Sequence, residues 1–219
     1  MDNDYFVIGD VHGCLKTFQK LLSHWNPDSE ILVQLGDLID RGRFSPQTLS
    51  YSMELQNQYP GKIMFLRGNH EQLMLDFHDG INTSWLANGG RETLEQFKSS
   101  ELELSTALSW IRGLPLFFEV DKLFISHAGI AETIKTPIDP HHPNGLLWNR
   151  EPLKNIGKTQ IIGHTPLTSG KPTYTSQSNS WNIDTGAYKG VCLSGIKLKS
   201  NGNFLDIISL PTINKDLMI

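Results

Sequence analysis

Cysteine is scarce: only Cys14 and Cys192 occur in 219 residues, far apart in the chain. Two cysteines build neither a disulfide framework nor a zinc-binding spacing, so both are expected as reduced, buried thiols of a cytoplasmic protein. Long apolar runs are missing too. No stretch approaches the ~18 residues of a membrane span, so no membrane partner is expected. The opening residues are acidic, and their apolar run covers only Tyr5–Ile8. No secretory leader is expected from that. A basic excess is also absent, with 19 Lys+Arg against 23 Asp+Glu and a net charge of −4. Domains that bind nucleic-acid polymers run basic, so that class of partner is not expected. Glycine (19) and proline (11) sit at ordinary levels, which excludes collagen-like and low-complexity chains.

What is present is core material. Hydrophobic residues make up 38% of the chain, including 10 Phe. That excludes disorder, and the length suits one domain over 1–219 with a small insertion. Five short apolar runs stand out: Tyr5–Ile8, Ile31–Leu35, Ile63–Leu66, Leu123–Ser126 and Gln160–Ile162. Runs of three to five residues read as buried strands, because helices need ten or more. Leu15, Phe18, Leu22 and Trp25 recur at helical spacing. Ser45-Pro46 predicts an N-cap and a helix to about Asn57. Leu73, Met74 and Phe77 predict a helix after the third run. The stretch 81–113 reads as further helices broken at Asn88-Gly89-Gly90, so 72–113 is expected as a helical cap segment. Strands alternating with helices give an α/β class. Near the end, Val191–Leu198 and Phe204–Leu210 flank Ser200-Asn201-Gly202-Asn203, which predicts a hairpin.

Each of the five runs is followed at once by polar residues beside small ones. They are Gly9-Asp10-Val11-His12-Gly13, Gly36-Asp37-Leu38-Ile39-Asp40-Arg41-Gly42, Arg67-Gly68-Asn69-His70-Glu71, His127-Ala128-Gly129 and Gly163-His164-Thr165-Pro166. Any one alone reads as a turn, a helix start or a core histidine. Five chance turns would not all follow strands and all carry ligand-type side chains. Ligands of open α/β sheets bind beyond the carboxyl ends of the strands, so these residues are expected in one region. Carboxylate, imidazole and one amide, without thiolate, suit Mn²⁺, Fe or Zn²⁺. Six donors are too many for one catalytic ion but fit two that share a carboxylate. His24, His78, His141 and His142 lie outside these motifs and read as ordinary helix-end or surface residues.

In this order the five motifs resemble the calcineurin-like metallophosphoesterases of the phosphoprotein phosphatase type. The likeness is to the compact bacterial and phage serine/threonine phosphatases and to the symmetrical diadenosine tetraphosphatases. It runs from about Tyr5 to Leu193. Trp85–Leu94 is similar to a segment of those prokaryotic branches, and Glu71 leans toward the phosphatases. The resemblance implies a four-layer αββα sandwich, with the late hairpin in the second sheet. It implies two divalent ions, Mn²⁺ ahead of Fe or Zn²⁺. Asp10 and His12 would hold one and Asn69, His127 and His164 the other, with Asp37 shared. It also implies hydroxide attack on phosphorus, His70 as general acid oriented by Asp40, and phosphate binding by Arg41 and Arg150. Asp184 is expected to be structural. The implied substrate is a phosphoserine or phosphothreonine protein, extending to phosphotyrosine. The alternative is a diadenosine tetraphosphate.

Overall fold

The computed structural model describes residues 3–218. Met1 and Asp2, at the start of the segment read as carrying no leader, lie outside the described residues, as does Ile219. Strand β1 (Asp4–Ile8) is followed by α1 (Leu15–Leu22), β2 (Glu30–Gln34), α2 (Ser45–Gln58), β3 (Ile63–Phe65) and α3 (Asn69–His78). A 3₁₀ turn at Ser84–Asn88 leads into α4 (Gly90–Phe97) and α5 (Leu104–Arg112). The rest is β: β4 (Phe117–Val120), β5 (Leu123–Ser126), β6 (Thr159–Ile162), β7 (Thr173–Thr175), β8 (Ser180–Asn182), β9 (Cys192–Leu198) and β10 (Phe204–Pro211).

The strands form two five-stranded sheets, ordered β10-β9-β1-β2-β3 and β4-β5-β6-β8-β7. Strand β1 shows why they stack. Its alternate side chains Tyr5 and Val7 join Val33, Ile125, Ile161 and Ile196 between the sheets. Phe6 and Ile8 face the other way, into a core with Phe18 of α1, Leu49 of α2, Met74 of α3 and Ile111 of α5. A strand buried on both faces reads as a continuous apolar run, as Tyr5–Ile8 does. Helix α4 packs on α2, and α5 packs on both α2 and α3. The outer face of the second sheet is covered by irregular chain: Gln160 accepts the N–H of Ile130 and donates to the carbonyl of Lys154. Helices, two sheets and this cover make up the sandwich. No helix of the described residues is long and apolar enough to cross a membrane.

The late hairpin forms, but not where it was expected. Strand β9 runs antiparallel to β1 and so belongs to the first sheet. Ile196 and Leu198 then face the inter-sheet core, while Leu193 faces the helices. A hairpin's own residues set its internal register but not the edge it joins. Ser45 also differs from expectation. It is the first residue of α2, not its cap, and its Oγ accepts the N–H of Asp40 at 2.9 Å. Strands β4, β7 and β8 were not anticipated; β4 and β7 are largely exposed, and Thr-Tyr-Thr in β7 and Ser-Trp-Asn in β8 form no apolar run.

Candidate metal centre

Parallel β1–β2–β3 and parallel β5–β6 send their carboxyl ends to the same end of the sandwich. The loops they carry interlock through backbone bonds. The N–H groups of Val11 and His12 both reach the carbonyl of Asp37, and that of Gly163 reaches the carbonyl of His127. Two close approaches require glycine. A Cβ at Gly163 would run into Asp10 Oδ1, and one at Gly68 into Asp37 Oδ1. Among the described residues seven non-glycine positions have positive φ, and five are candidate site residues: His12 (46°), Asp37 (54°), Asp40 (70°), Arg41 (68°) and His164 (67°). Such backbone costs about 1–3 kcal/mol per residue and persists where the surroundings hold it, typically at functional sites.

Asp37 is at the centre. Its Oδ2 lies 3.3 Å from His12 Nε2 and 3.5 Å from His127 Nε2, and its Oδ1 accepts the N–H of His70 at 2.9 Å. Two groups of potential ligand atoms meet there, His12–Asp37–His70 and Asp10–Asp37–His127, each within 4.8 Å. Asn69 Oδ1 stands 2.8 Å from His127 Nε2 and 2.9 Å from His164 Nδ1. His164 donates its backbone N–H to Asp10 Oδ2 at 3.0 Å. Asp10, His12, Asp37, Asn69, His127 and His164 are thus brought together, all buried.

The donor chemistry of this cluster fits a divalent cation. His127 Nδ1 donates to the carbonyl of Leu35 at 3.0 Å, and burial lowers the ring's pKa. The neutral ring therefore turns an unprotonated Nε2 toward Asn69 Oδ1, which is itself an acceptor. His12 is fixed the same way through the carbonyl of Ile39 at 2.8 Å. A carbonyl on the remote nitrogen is how metal-binding histidines are usually oriented. Among the described residues Asp10 Oδ1 is buried with no hydrogen-bond partner, and His164 turns Nδ1 to within 3.2 Å of His127 Nε2. Burial first, then the charges of Asp184 and Asp37, push the Asp10 carboxyl up. Burial would also raise Asp37, but His127, His70 and His12 outweigh it and hold that carboxyl low. Burial and His127 push the His164 ring down to about 3. Buried acceptors facing one another are costly unless a cation fills the space between them.

Beside this cluster stands a different pair. His70 Nδ1 lies 2.7 Å from Asp40 Oδ2, both buried. Burial pulls the His70 pKa down, yet the charge of Asp37 and the bond to Asp40 outweigh it, and the pKa rises. Arg41 places Nη1 3.1 Å from His12 Nε2, with its guanidinium 4.4 Å from the Tyr188 ring centre. Arg150 is on the rim, exposed, with Nη1 3.3 Å from Thr165 Oγ1.

Sequence reasoning missed several neighbours. Glu71, read above as part of a helix start and as leaning toward the phosphatases, accepts the N–H groups of Asp37, Leu38 and Gly68, each at 2.8 Å. It ties the Asp37 loop to the start of α3. Burial and Asp37 push its carboxyl up to about 7 against those three bonds. Glu at the third position of a helix is half of the capping-box pattern, which is the signal the sequence carried for the bond to Gly68. Trp85 and Thr93 both reach Asp40, and no local pattern announces that. Asp184 is buried beside the cluster and accepts the N–H of Gly186 at 3.0 Å. The remaining histidines stay outside: His24 is exposed beyond α1, His78 ends α3, His141 bonds the buried Asp76 at 3.0 Å, and His142 Nδ1 accepts the N–H of Asn144 at 3.1 Å.

Comparison with known proteins agrees with this geometry. The calcineurin-like phosphoesterase family matches residues 5–198. A serine/threonine-protein phosphatase 1 of Salmonella typhimurium is 34% identical over 203 residues, 84% of this chain and 87% of that protein. An asymmetrical bis(5'-nucleosyl)-tetraphosphatase of Bacillus cereus is 27% identical, over 95% of this chain and 94% of that one. Among solved structures, a serine/threonine phosphatase from Saccharomyces cerevisiae shares the fold with TM-score 0.71 at 16% identity, covering 97% of this chain and 81% of that one. The chain belongs to the calcineurin-like phosphoesterases, on the side of the bacterial phosphoprotein phosphatases, and is a metal-dependent hydrolase.

Proposed function

We propose that this protein is a two-metal phosphomonoesterase that dephosphorylates phosphoserine and phosphothreonine in proteins, and phosphotyrosine as well. The observation that carries the reading is the His70–Asp40 pair set against Asp37, on which His12 and the Asp10–His127 group also converge. Asp10, His12, Asp37, Asn69, His127 and His164 would hold two divalent ions, manganese first, with iron or zinc as alternatives. Ions bound there would polarise the phosphate and supply a nucleophile at neutral pH. Arg41 would take two phosphate oxygens through its planar fork, and Arg150 would meet the phosphate from the rim. His70 keeps Nδ1 on Asp40 and gives the proton at Nε2 to the departing serine or threonine oxygen. An alkoxide is a poor leaving group, so a general acid matters most for this substrate class. The free, buried Cys14 and Cys192 suit the reducing cytoplasm we assign.

A second reading has its own support. The Bacillus cereus relative, named for a dinucleoside tetraphosphate, matches across nearly the whole chain. The same residues could cleave an anhydride. A phosphoserine peptide and diadenosine tetraphosphate, assayed side by side with Mn²⁺, separate the two. Faster peptide turnover is expected; preference for the dinucleotide overturns the first reading.

A further inference from the structure

The carboxylate behind His70 is held from outside the loops that end the strands. We propose that Trp85 and Thr93 are positioning residues of the general acid, fixing Asp40 so that His70 stays aimed at the leaving oxygen. The inference rests on the reading of His70 above. Asp40 is fully buried. Its Oδ2 accepts from His70 Nδ1 at 2.7 Å and from Trp85 Nε1 at 2.8 Å. Its Oδ1 accepts from Thr93 Oγ1 at 2.5 Å. Its own N–H donates to Ser45 Oγ, which lies 3.4 Å from Thr93 Oγ1.

The backbone enforces the same contact. Asp40 and Arg41 are left-handed residues in sequence. Gly89, at φ 107°, is pressed against them: a Cβ there would lie 2.9 Å from Asp40 Cβ and 3.0 Å from the Arg41 nitrogen. Gly90 lets the Trp85 ring lie across its own turn, where any Cβ would strike the indole. With donors on both oxygens, the carboxylate cannot rotate without breaking a buried bond, and a buried acceptor left bare is costly. His70 has no other hydrogen-bonding partner for Nδ1 among the described residues. Its ring direction therefore depends on Asp40, and Asp40's on residues 85 and 93.

The test compares substrates that differ in their need for an acid. Thr93→Val removes the hydroxyl at constant shape, and Trp85→Phe removes the indole N–H. Outer partners of this kind typically matter by about 10–100-fold, so Thr93→Val should lose that much kcat on a phosphoserine peptide. It should lose less than about threefold on 2,4-dinitrophenyl phosphate, whose leaving group needs no proton, with KM unchanged. Trp85→Phe should move the same way, and Thr93→Ser should restore peptide turnover. In an Asp40→Asn background Thr93→Val should cost nothing further. Equal losses on both substrates, full peptide activity, or additive losses in that background overturn the inference. A readout free of activity is the downfield proton resonance of His70 Nδ1–H. It should move upfield in Thr93→Val, and an unmoved signal overturns the inference. If the unaltered protein cleaves neither phosphate, the functional reading fails while that resonance still decides the role of Thr93.

Discussion

Around Asp37, buried acceptors face one another: Asp10 Oδ1 has no partner among the described residues, and His127 Nε2 and His164 Nδ1 both meet the amide oxygen of Asn69. Around Asp40, every acceptor meets a donor: His70, Trp85 and Thr93 satisfy both oxygens. The two carboxylates are three residues apart on one loop, both buried, both left-handed. The difference lies in what surrounds them. The first half is complete only with cations. The second half is complete within the chain and preorganised before substrate arrives.

Asp37→Asn breaks the first half hardest, because it takes charge from both ions. Turnover should fall by more than about ten-thousandfold, since each ion supplies several kcal/mol. Metal analysis checks this, and two ions retained by the variant would count against a shared carboxylate. His70→Asn should strike only the second half. Metal content stays at wild-type level while turnover of alkyl phosphates drops about 10²–10³-fold. Chelation should separate the halves by stability. At metal near a hundred times its dissociation constant, removal costs about 2.7 kcal/mol per site, about 5 kcal/mol for two, and lowers Tm by about 10–20 °C. Scanning calorimetry with and without chelator reads it, and an unchanged Tm sinks the claim that a cation fills the Asp37 half. The smallest effect belongs to the rim. Arg150→Ala should raise KM less than about fivefold and leave kcat alone, since an exposed charge contributes under about 1 kcal/mol. A large fall in kcat would move Arg150 into the site.

Much of this was legible in the chain itself. The strand runs were read to within a residue or two, because a short apolar run ending at Gly-Asp or Ser-His is a local signal. The helices after β1, β2 and β3 announce themselves by spacing and by Pro46. Other features were not legible. The hairpin of β9 and β10 pairs with β1, almost two hundred residues earlier. Helix α1 has no capping side chain of its own. Asp216, at the far end of the chain, accepts the N–H groups of Lys16 and Thr17 instead. Ser45 looked like a cap because Ser before Pro usually is one, yet it serves Asp40. Glu71 sits in what reads as a helix start, yet it clamps the Asp37 loop.

The opening absences come to a similar division. With few cysteines, the sequence alone determined that the donors of the buried cluster would be oxygen and nitrogen. It also singled out the six candidate ligands and His70 that the fold gathers, because each lies within a few residues of a strand end. Tertiary structure alone decided which carboxylate is left bare and which is saturated. The donors to Asp40 come from 45 and 53 residues further along the chain. Contacts of that span follow from how the helices pack on the first sheet, which no local run of residues encodes.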